Sequence, residues 1–315
     1  MTIIFLLQLA LPLFFIGWVA MAPLNSRFGV FCQIVGTASG LFALALTGLW
    51  LFPPWWTPYV FAVLLVAATL IGWRRRRAFV SPLPSRWKDR IFAAMFLAIG
   101  GWGVVQSANA LAGHVPQSGE IVDLTFPLKG GTFLVVNGGS NLSVNPHVMT
   151  LDASMARFHA YRGQSYGVDI VKLNAWGLRA KGLQPNEPSA YDIYGDPVFA
   201  PCNGVVLIAS DGLPDMQPPL MDREHMAGNH VLLRCKNADV LLGHLKPGSV
   251  VVAAGIQVNV GDLIANVGNS GNTGEPHLHI HCQQRGTSSE PLSGNPLPMR
   301  FDGRFLVRND RVVTR

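Results

Sequence analysis

The sequence predicts a chain of two parts, a bundle of four transmembrane helices followed by an all-β domain. Long apolar runs, close to the roughly 20 residues that cross a bilayer, follow one another up to about residue 113. From about residue 120 the pattern changes to short apolar runs broken by Gly, Pro, Asn and Asp, which is typical of strands joined by turns. Only 13% of the residues are charged, against ~25% in an average soluble protein, which also indicates membrane segments.

The first part, residues 1–113, is predicted to be a transmembrane region. Its four helices cover about 2–23, 29–52, 57–73 and 91–112. The first run lacks the basic start of a signal peptide and leads at once into further apolar runs, so we interpret it as a retained helix. No run carries a charge at mid-depth, where transporters and proton relays usually need one. The bundle is therefore interpreted as an anchor or a partner-binding unit.

Basic residues set the predicted orientation of these helices. Residues 1–113 hold eight basic side chains and one acidic one, whereas residues 114–315 hold 16 and 17. Four consecutive arginines, 74–77, lie between the third and fourth runs, so the positive-inside rule puts this loop in the cytoplasm and everything after residue 113 outside. A basic excess confined to the apolar part argues against a nucleic-acid surface. Binding of anionic lipid is the alternative role of the arginines.

The second part is predicted to contain a linker at 114–128, a β domain at 129–300 and a C-terminal hairpin at 301–315. Its strands are expected in the short apolar runs at 131–136, 166–171, 203–209, 229–235, 239–245, 262–268 and 277–283. Two long loops, about 173–196 and 211–228, interrupt the sheet, and loops of that length are usually functional or disordered.

Three of the four cysteines lie in this second part: Cys202, Cys235 and Cys282. Outside the cytoplasm an odd number leaves at least one of them unpaired. A bridge between Cys202 and Cys235 is one pairing that the sequence allows. No Cys-x-x-Cys spacing supports a zinc site made of cysteines, so we also interpret them as small buried residues.

A metal site is indicated by the stretch "GNTGEPHLHIHCQ". Its histidines, His277, His279 and His281, alternate along a predicted strand, which sends all three to one face. Neutral imidazole is the commonest metal ligand. Asp169 lies inside the apolar strand "YGVDIV", where a lone carboxylate is costly unless it is paired or bound to a metal. His244 ends another strand, in "LLGHL", and the glycine-rich loop "GNSGNTGEP" leads directly into the histidine strand.

With these residues in order, the segment from about 130 to 285 resembles the lysostaphin/LytM-type zinc endopeptidases, which cut peptide cross-links in bacterial cell walls. The matching segments are the Gly-x-Asp strand, "GDPVFAPCNGVV", "GNHVLLR", "GHL" and "VGNSGNTGEPHLHIH". The glycine loop followed by His-Leu-His is the most specific of them. The resemblance implies an all-β LytM/lysostaphin-like peptidase domain, of the duplicated hybrid motif type, with Zn²⁺ at the floor of a groove.

The resemblance also implies roles for individual residues. Asp169 and His279 would be zinc ligands, in keeping with the preference of zinc for N and O donors. His244 and His277 would hold and activate the water or stabilise the oxyanion, while zinc polarises the scissile carbonyl.

One departure from the family concerns the first ligand, a His in the motif H-x-x-x-D. Ser165 occupies that position, and serine is a poor zinc ligand. We favour His147 in "SVNPHV" as the residue that fills the gap. His159 in "RFHAYRGQ" is the first alternative and His281 the second.

The leading hypothesis is a membrane-anchored zinc metalloendopeptidase that hydrolyses peptide bonds in peptidoglycan cross-links. It implies a multi-pass protein of the bacterial inner membrane, in contact with membrane lipid, with its C-terminal domain on the periplasmic side. The alternative is a degenerate LytM-like binding module, marked by Ser165, that regulates a cell-wall hydrolase as a protein partner. A peptidase for another protein substrate is a third hypothesis. None of the three involves nucleic acid.

Overall fold

The computed structural model describes residues 6–22, 24–75, 81–287 and 289–315. Within them the chain forms two units, Met1–Leu111 and Ala112–Arg315. Helices make up the first unit, and they are a π-helical turn at Leu6–Ala10 followed by α1 (Leu11–Met21), α2 (Arg27–Thr47), α3 (Thr57–Arg75) and α4 (Trp87–Ala112).

Three of these helices, not the four predicted, are long and apolar enough to span a membrane. They are α2, α3 and α4. The described part of the first predicted span, 2–23, is helical over Leu6–Met21, shorter than the other three helices; residues 2–5 and 23 lie outside the described part. Its helix ends at Met21 because a proline follows Ala22 in the sequence and disfavours the helical conformation there. Of the arginine run, Arg74 and Arg75 form the last turn of α3, and 76–77 lie outside the described part.

The helices α2 and α4 pack closely at a glycine. A Cβ atom on Gly36 would lie 2.3 Å from the carbonyl oxygen of Phe96, so no larger residue fits there. One turn further along, the Ser39 hydroxyl donates a hydrogen bond of 2.9 Å to the carbonyl of Gly100. Small residues and interhelical hydrogen bonds of this kind are typical of helices that associate in membranes.

The second unit is mostly β-structure, as predicted. Its strands are β1 (Val122–Leu124), β2 (Gly131–Asn137), β3 (Val168–Leu173), β4 (Pro197–Phe199), β5 (Gly204–Ser210), β6 (Asn229–Cys235), β7 (Ala238–Leu245), β8 (Gln257–Val258), β9 (Leu263–Asn266), β10 (Leu278–Gln283), β11 (Pro296–Leu297), β12 (Met299–Phe301) and β13 (Arg311–Thr314). Helical structure in the described residues of this unit is confined to 3₁₀ segments at Pro146–Leu151, Ala156–Tyr166 and Pro188–Ala190.

A nine-stranded antiparallel sheet organises the unit. Its strand order is β13-β2-β3-β10-β7-β6-β5-β8, and β11 pairs with β10. Two small sheets flank it, β1 with β12 and β4 with β9. The central strands send Ile170, Leu242 and Ile280 into one buried core. Because side chains alternate along a strand, Asp169 and His279 lie on the opposite face.

Two predicted boundaries differ from the structure. Residues 122–128 were expected in a linker, but β1 pairs with β12 in parallel and Phe126 and Leu128 are buried in the core. The C-terminal segment 301–315 was expected to form a hairpin, whereas β13 pairs with β2 at the edge of the large sheet. Both differences arise from partners that are distant in the sequence, which local patterns do not reveal.

A disulfide joins Cys202 and Cys235, whose Cα atoms are 5.9 Å apart. It links the segment just before β5 to the end of β6, two strands that already form a ladder. Cys32 and Cys282 are free and buried.

Candidate metal centre

The floor of the site is built by the ladder between β3 and β10. Its register pairs Asp169 directly with His279, and Nδ1 of His279 lies 2.8 Å from Oδ1 of Asp169. On its other side His279 pairs with Gly243 of β7, the residue before His244. His244 itself has a positive φ of 61°, so it departs from the regular alternation of the strand, and its ring centroid lies 5.8 Å from that of His279.

His147 reaches the same carboxylate from a different direction. It lies in the 3₁₀ helix Pro146–Leu151, and its Nε2 is 2.9 Å from Oδ2 of Asp169. Asn145, which is completely buried, caps this helix by accepting a hydrogen bond of 3.1 Å from the His147 amide. Its side-chain amide donates to the carbonyls of Gly139 and Gly167 at 2.9 and 3.0 Å. Asn145 thus fastens the segment that carries His147 to the start of β3.

These donors fit a zinc ion. One ligand atom from each of His147, Asp169 and His279 lies within 4.8 Å of the other two. Two imidazole nitrogens and one carboxylate oxygen, with a fourth position left for water, are the donor set of catalytic zinc sites. Asp169 and His279 are buried and His147 is partly exposed, so the group opens towards solvent on one side.

The other proposed third ligands lie elsewhere. His159 is exposed, and its ring nitrogen is 3.0 Å from the carbonyl of Ala153. His281 lies behind His279, with its Nδ1 3.0 Å from Nε2 of His279, and does not face the carboxylate.

Ser165, at the position of the missing family ligand, is buried beneath the His147 segment. Its hydroxyl donates to the carbonyl of Arg162 and lies 2.7 Å from the hydroxyl of Thr150. Thr150 belongs to the same 3₁₀ helix as His147 and donates to the His147 carbonyl at 2.8 Å. The residue that departs from the family motif therefore supports the segment that supplies a different histidine.

His244 and His277 form a pair beside this group, with ring centroids 4.8 Å apart. Nδ1 of His277 lies 2.8 Å from the carbonyl of Glu275, and Nδ1 of His244 lies 2.9 Å from the carbonyl of Ser270. A backbone carbonyl accepts only, so each ring carries its proton on Nδ1. Nε2 is then the basic nitrogen of both, and that of His277 is 3.5 Å from Oδ1 of Asp169.

The surroundings of His244 and His277 shift the pKa values of the two rings in opposite directions. Burial, together with the charges of His277 and His279, lowers the pKa of His244 well below its usual value. Burial also works to lower the pKa of His277, but the Asp169 carboxylate raises it on balance. Burial opposes ionisation of Asp169, yet His147 and His277 hold the pKa of that carboxyl well below its usual range. His277 is therefore the more basic of the two, and Asp169 is ionised.

Two supporting residues were missed by the sequence analysis. A bulge in β2 places Asn137 opposite Asp169, where its amide donates to Oδ2 at 2.8 Å. Arg308, from the C-terminal segment, donates to the Asn137 side chain at 2.9 Å, and burial lowers its pKa to about 10. A polar residue that ends the apolar strand "FLVVN" was a usable signal for Asn137. No local pattern marks Arg308.

The predicted long loop at 173–196 is also tied to the site. Arg179 makes a bidentate ion pair with Glu275, at 2.7 and 2.8 Å, and both side chains are largely buried. The carbonyl of Glu275 is the group that holds Nδ1 of His277. Arg179 therefore braces the glycine-rich loop just before the histidine strand.

The model of peptidase family M23 matches residues 190–291. This segment, called the M23 segment below, is similar to that family. The resemblance to lysostaphin/LytM-type enzymes is thereby confirmed. The M23 segment includes His244, His277 and His279, whereas Asp169 and His147 precede it.

Solved structures to which this chain is similar include the catalytic domain of the antimicrobial peptidase lysostaphin from Staphylococcus simulans. It is 21% identical, with 40% of this chain and 71% of that chain covered and a TM-score of 0.27. A zinc-containing peptidase from Vibrio cholerae is 18% identical over 37% of this chain and 46% of that one, with a TM-score of 0.23. A chain of the SpoIIIAH–SpoIIQ complex is 16% identical over 51% and 92%, with a TM-score of 0.31. No curated protein matches the sequence.

Proposed function

We propose that this protein is a membrane-anchored zinc metalloendopeptidase that hydrolyses peptide bonds in peptidoglycan cross-links. The observation that carries the proposal is the convergence of His147, Asp169 and His279 beside the His244–His277 pair. The similarity of the M23 segment to a peptidase family supports the reaction class.

In this proposal His147, Asp169 and His279 hold the zinc. Zinc bound there would supply Lewis-acid chemistry, polarising a peptide carbonyl and acidifying a water molecule. Asn137 and Asn145 keep the carboxylate and the His147 segment in place through their hydrogen bonds. The chain itself then supplies orientation and proton transfer.

His277 is proposed to take and return the proton. Its Nδ1 is committed to the Glu275 carbonyl, so Nε2 accepts the proton from water and later gives it to the leaving amine. His244 stays neutral because its pKa is lowered, and its ring borders the same space. Two titratable groups whose pKa values are pushed apart are the usual arrangement of an acid–base site.

The remaining parts of the proposal concern location and substrate. Helices α2, α3 and α4 would anchor the chain in the inner membrane of a bacterium, with the M23 segment on the periplasmic side. The arginines at the end of α3 support that orientation. The near balance of charge in residues 114–315 favours a substrate bound by shape and backbone pairing over one bound by bulk electrostatics.

A second candidate is a regulatory binding module, which Ser165 in place of the family ligand favours. One experiment separates the two candidates. The full chain is purified in detergent, supplied with Zn²⁺, freed of excess metal and assayed for zinc content, alongside the variants His147→Ala, His279→Ala, His277→Ala and His159→Ala. Each preparation is then incubated with cross-linked peptidoglycan, and new amino termini are counted.

We expect about one zinc per chain in the parent, in His277→Ala and in His159→Ala, and loss of zinc in the other two. New amino termini should appear with the parent and disappear in His277→Ala. A folded parent that binds no zinc would refute the peptidase and favour the binding module. If the zinc-loaded parent produces no new amino termini in peptidoglycan, the proposal that peptidoglycan is the substrate would be refuted.

A further inference from the structure

Three side chains follow one another along the site face of β10. His279, His281 and Gln283 are alternate residues of the strand and point away from the core, and all three are buried. Nε2 of His279 lies 3.0 Å from Nδ1 of His281. We call these three residues the β10 file.

The far end of the β10 file fixes the direction of its hydrogen bonds. The side-chain amide of Gln283 donates to the carbonyl of Pro291 at 2.6 Å, which fixes the orientation of the amide and distinguishes its nitrogen from the acceptor Oε1. Oε1 of Gln283 and Nε2 of His281 are both buried, and neither has a hydrogen-bond partner of its own within the described residues. An unpaired buried polar group costs free energy. The Gln283 side chain is a hydrogen-bonding neighbour of the His281 ring, and its acceptor oxygen favours the form of His281 that carries the proton on Nε2.

The position of the proton on His281 determines which nitrogen of His279 carries a proton. A neutral imidazole has one donor and one acceptor nitrogen, so Nδ1 of His281 is then the acceptor. His279 must donate to it from Nε2, which leaves Nδ1 of His279 with a lone pair. Yet this Nδ1 faces Oδ1 of Asp169 at 2.8 Å, and a carboxylate oxygen is also an acceptor. Two acceptors at that separation are reconciled by a cation that binds both.

We propose that His281 is a positioning residue that, with Gln283, holds the proton of His279 on Nε2 and so presents Nδ1 to the metal. The inference rests on the proposed function, because it takes His279 as a zinc ligand. His281, which the sequence offered as an alternative ligand, would act through His279 instead. Hydrogen-bond partners behind metal-bound histidines typically change metal affinity by about 10- to 100-fold.

The test compares His281→Leu with His281→Asn in the full chain in detergent. Leucine fills similar space without polar atoms, whereas asparagine keeps an acceptor near the position of Nδ1. His159→Leu, at an exposed histidine outside the site, is the matched control. Zinc affinity is measured by competition with a chelator. The protonated nitrogen of each histidine is read from nitrogen-15 spectra of the zinc-loaded parent, labelled at its nine histidines.

We expect His281→Leu to weaken zinc binding about 10- to 100-fold, and His281→Asn and His159→Leu to stay within about threefold of the parent. In the parent spectrum His279 should carry its proton on Nε2. Equal zinc affinity of His281→Leu and the parent would overturn the inference and leave the proposed function standing. A zinc-loaded parent without a proton on Nε2 of His279 would overturn it even if His281→Leu does not fold. A parent that binds no zinc would overturn both.

Discussion

Asn145 offers the sharpest test of His147 as a metal ligand, because it acts on that ligand without touching the metal. Replacing Asn145 with alanine removes the donor to two carbonyls, those of Gly139 and Gly167, and the acceptor of the His147 amide. Each buried group left unpaired costs about 1–3 kcal/mol, and loss of a helix cap about 0.5–2 kcal/mol. Since water can reach part of the opened segment, we expect a local loss of about 2–4 kcal/mol.

That loss should appear in zinc affinity. A tenfold change corresponds to ~1.4 kcal/mol, so even if the displaced segment recovers part of the cost, Asn145→Ala should bind zinc about 10- to 100-fold more weakly. Chelator competition on the full chain measures this, and hydrogen exchange of residues 146–151 reports the loosened segment. Asn203→Ala is the matched control, because its side chain accepts a hydrogen bond of 2.7 Å from the Val260 amide, a contact of the same chemical kind in a different loop. Faster exchange at 146–151 with unchanged zinc affinity would refute His147 as a ligand.

Three further predictions follow from the same structure. Arg179→Gln breaks the buried ion pair that braces the loop before His277, so kcat on a cross-linked peptide should fall about 100-fold while zinc content stays constant; loss of zinc would contradict this. Replacing Cys202 and Cys235 by serine opens a link with a sequence separation of 33, so the free energy of unfolding, from urea-dependent hydrogen exchange at β5 and β6, should drop by about 3–4 kcal/mol; a drop below ~1 kcal/mol would count against it. In metal-free protein the lowered pKa of His244 means that the unfolded chain binds more protons below pH 6.5, so stability should decrease as pH falls from 6.5; a flat profile, or one unchanged by His244→Asn, would contradict this.

Local sequence patterns predicted the character of each part well. Apolar runs predicted membrane-length helices, and α2, α3 and α4 confirm three of the four. Among the described residues the first run is a shorter apolar helix, Leu6–Met21, which is not one of the three candidate spans. The change to short runs after residue 120 predicted the β unit, which the sheet of nine strands confirms.

Local sequence patterns did not predict the pairing of strands that are distant in the sequence. Residues 122–128 have the composition of a linker, and their burial depends on a parallel partner at Met299–Phe301. The sequence around the final strand, β13, is typical of one strand of a hairpin, but β13 pairs with β2. Every non-proline residue offers the same backbone N–H and C=O groups, so the sequence of a strand does not by itself identify the strand with which it pairs.

For the site, the sequence by itself determined that His277, His279 and His281 alternate along one strand and that the M23 motifs occur in order. Alternation is a local property of extended backbone, so no tertiary information was needed. Only the tertiary structure decided which histidine joins Asp169 and His279. His147 and His159 are both within reach along the chain, but the buried amide of Asn145 bonds to Gly167 at the start of β3 and directs His147 inwards. That choice depends on where β3 lies relative to the preceding loop, and the packing of the whole sheet sets that position.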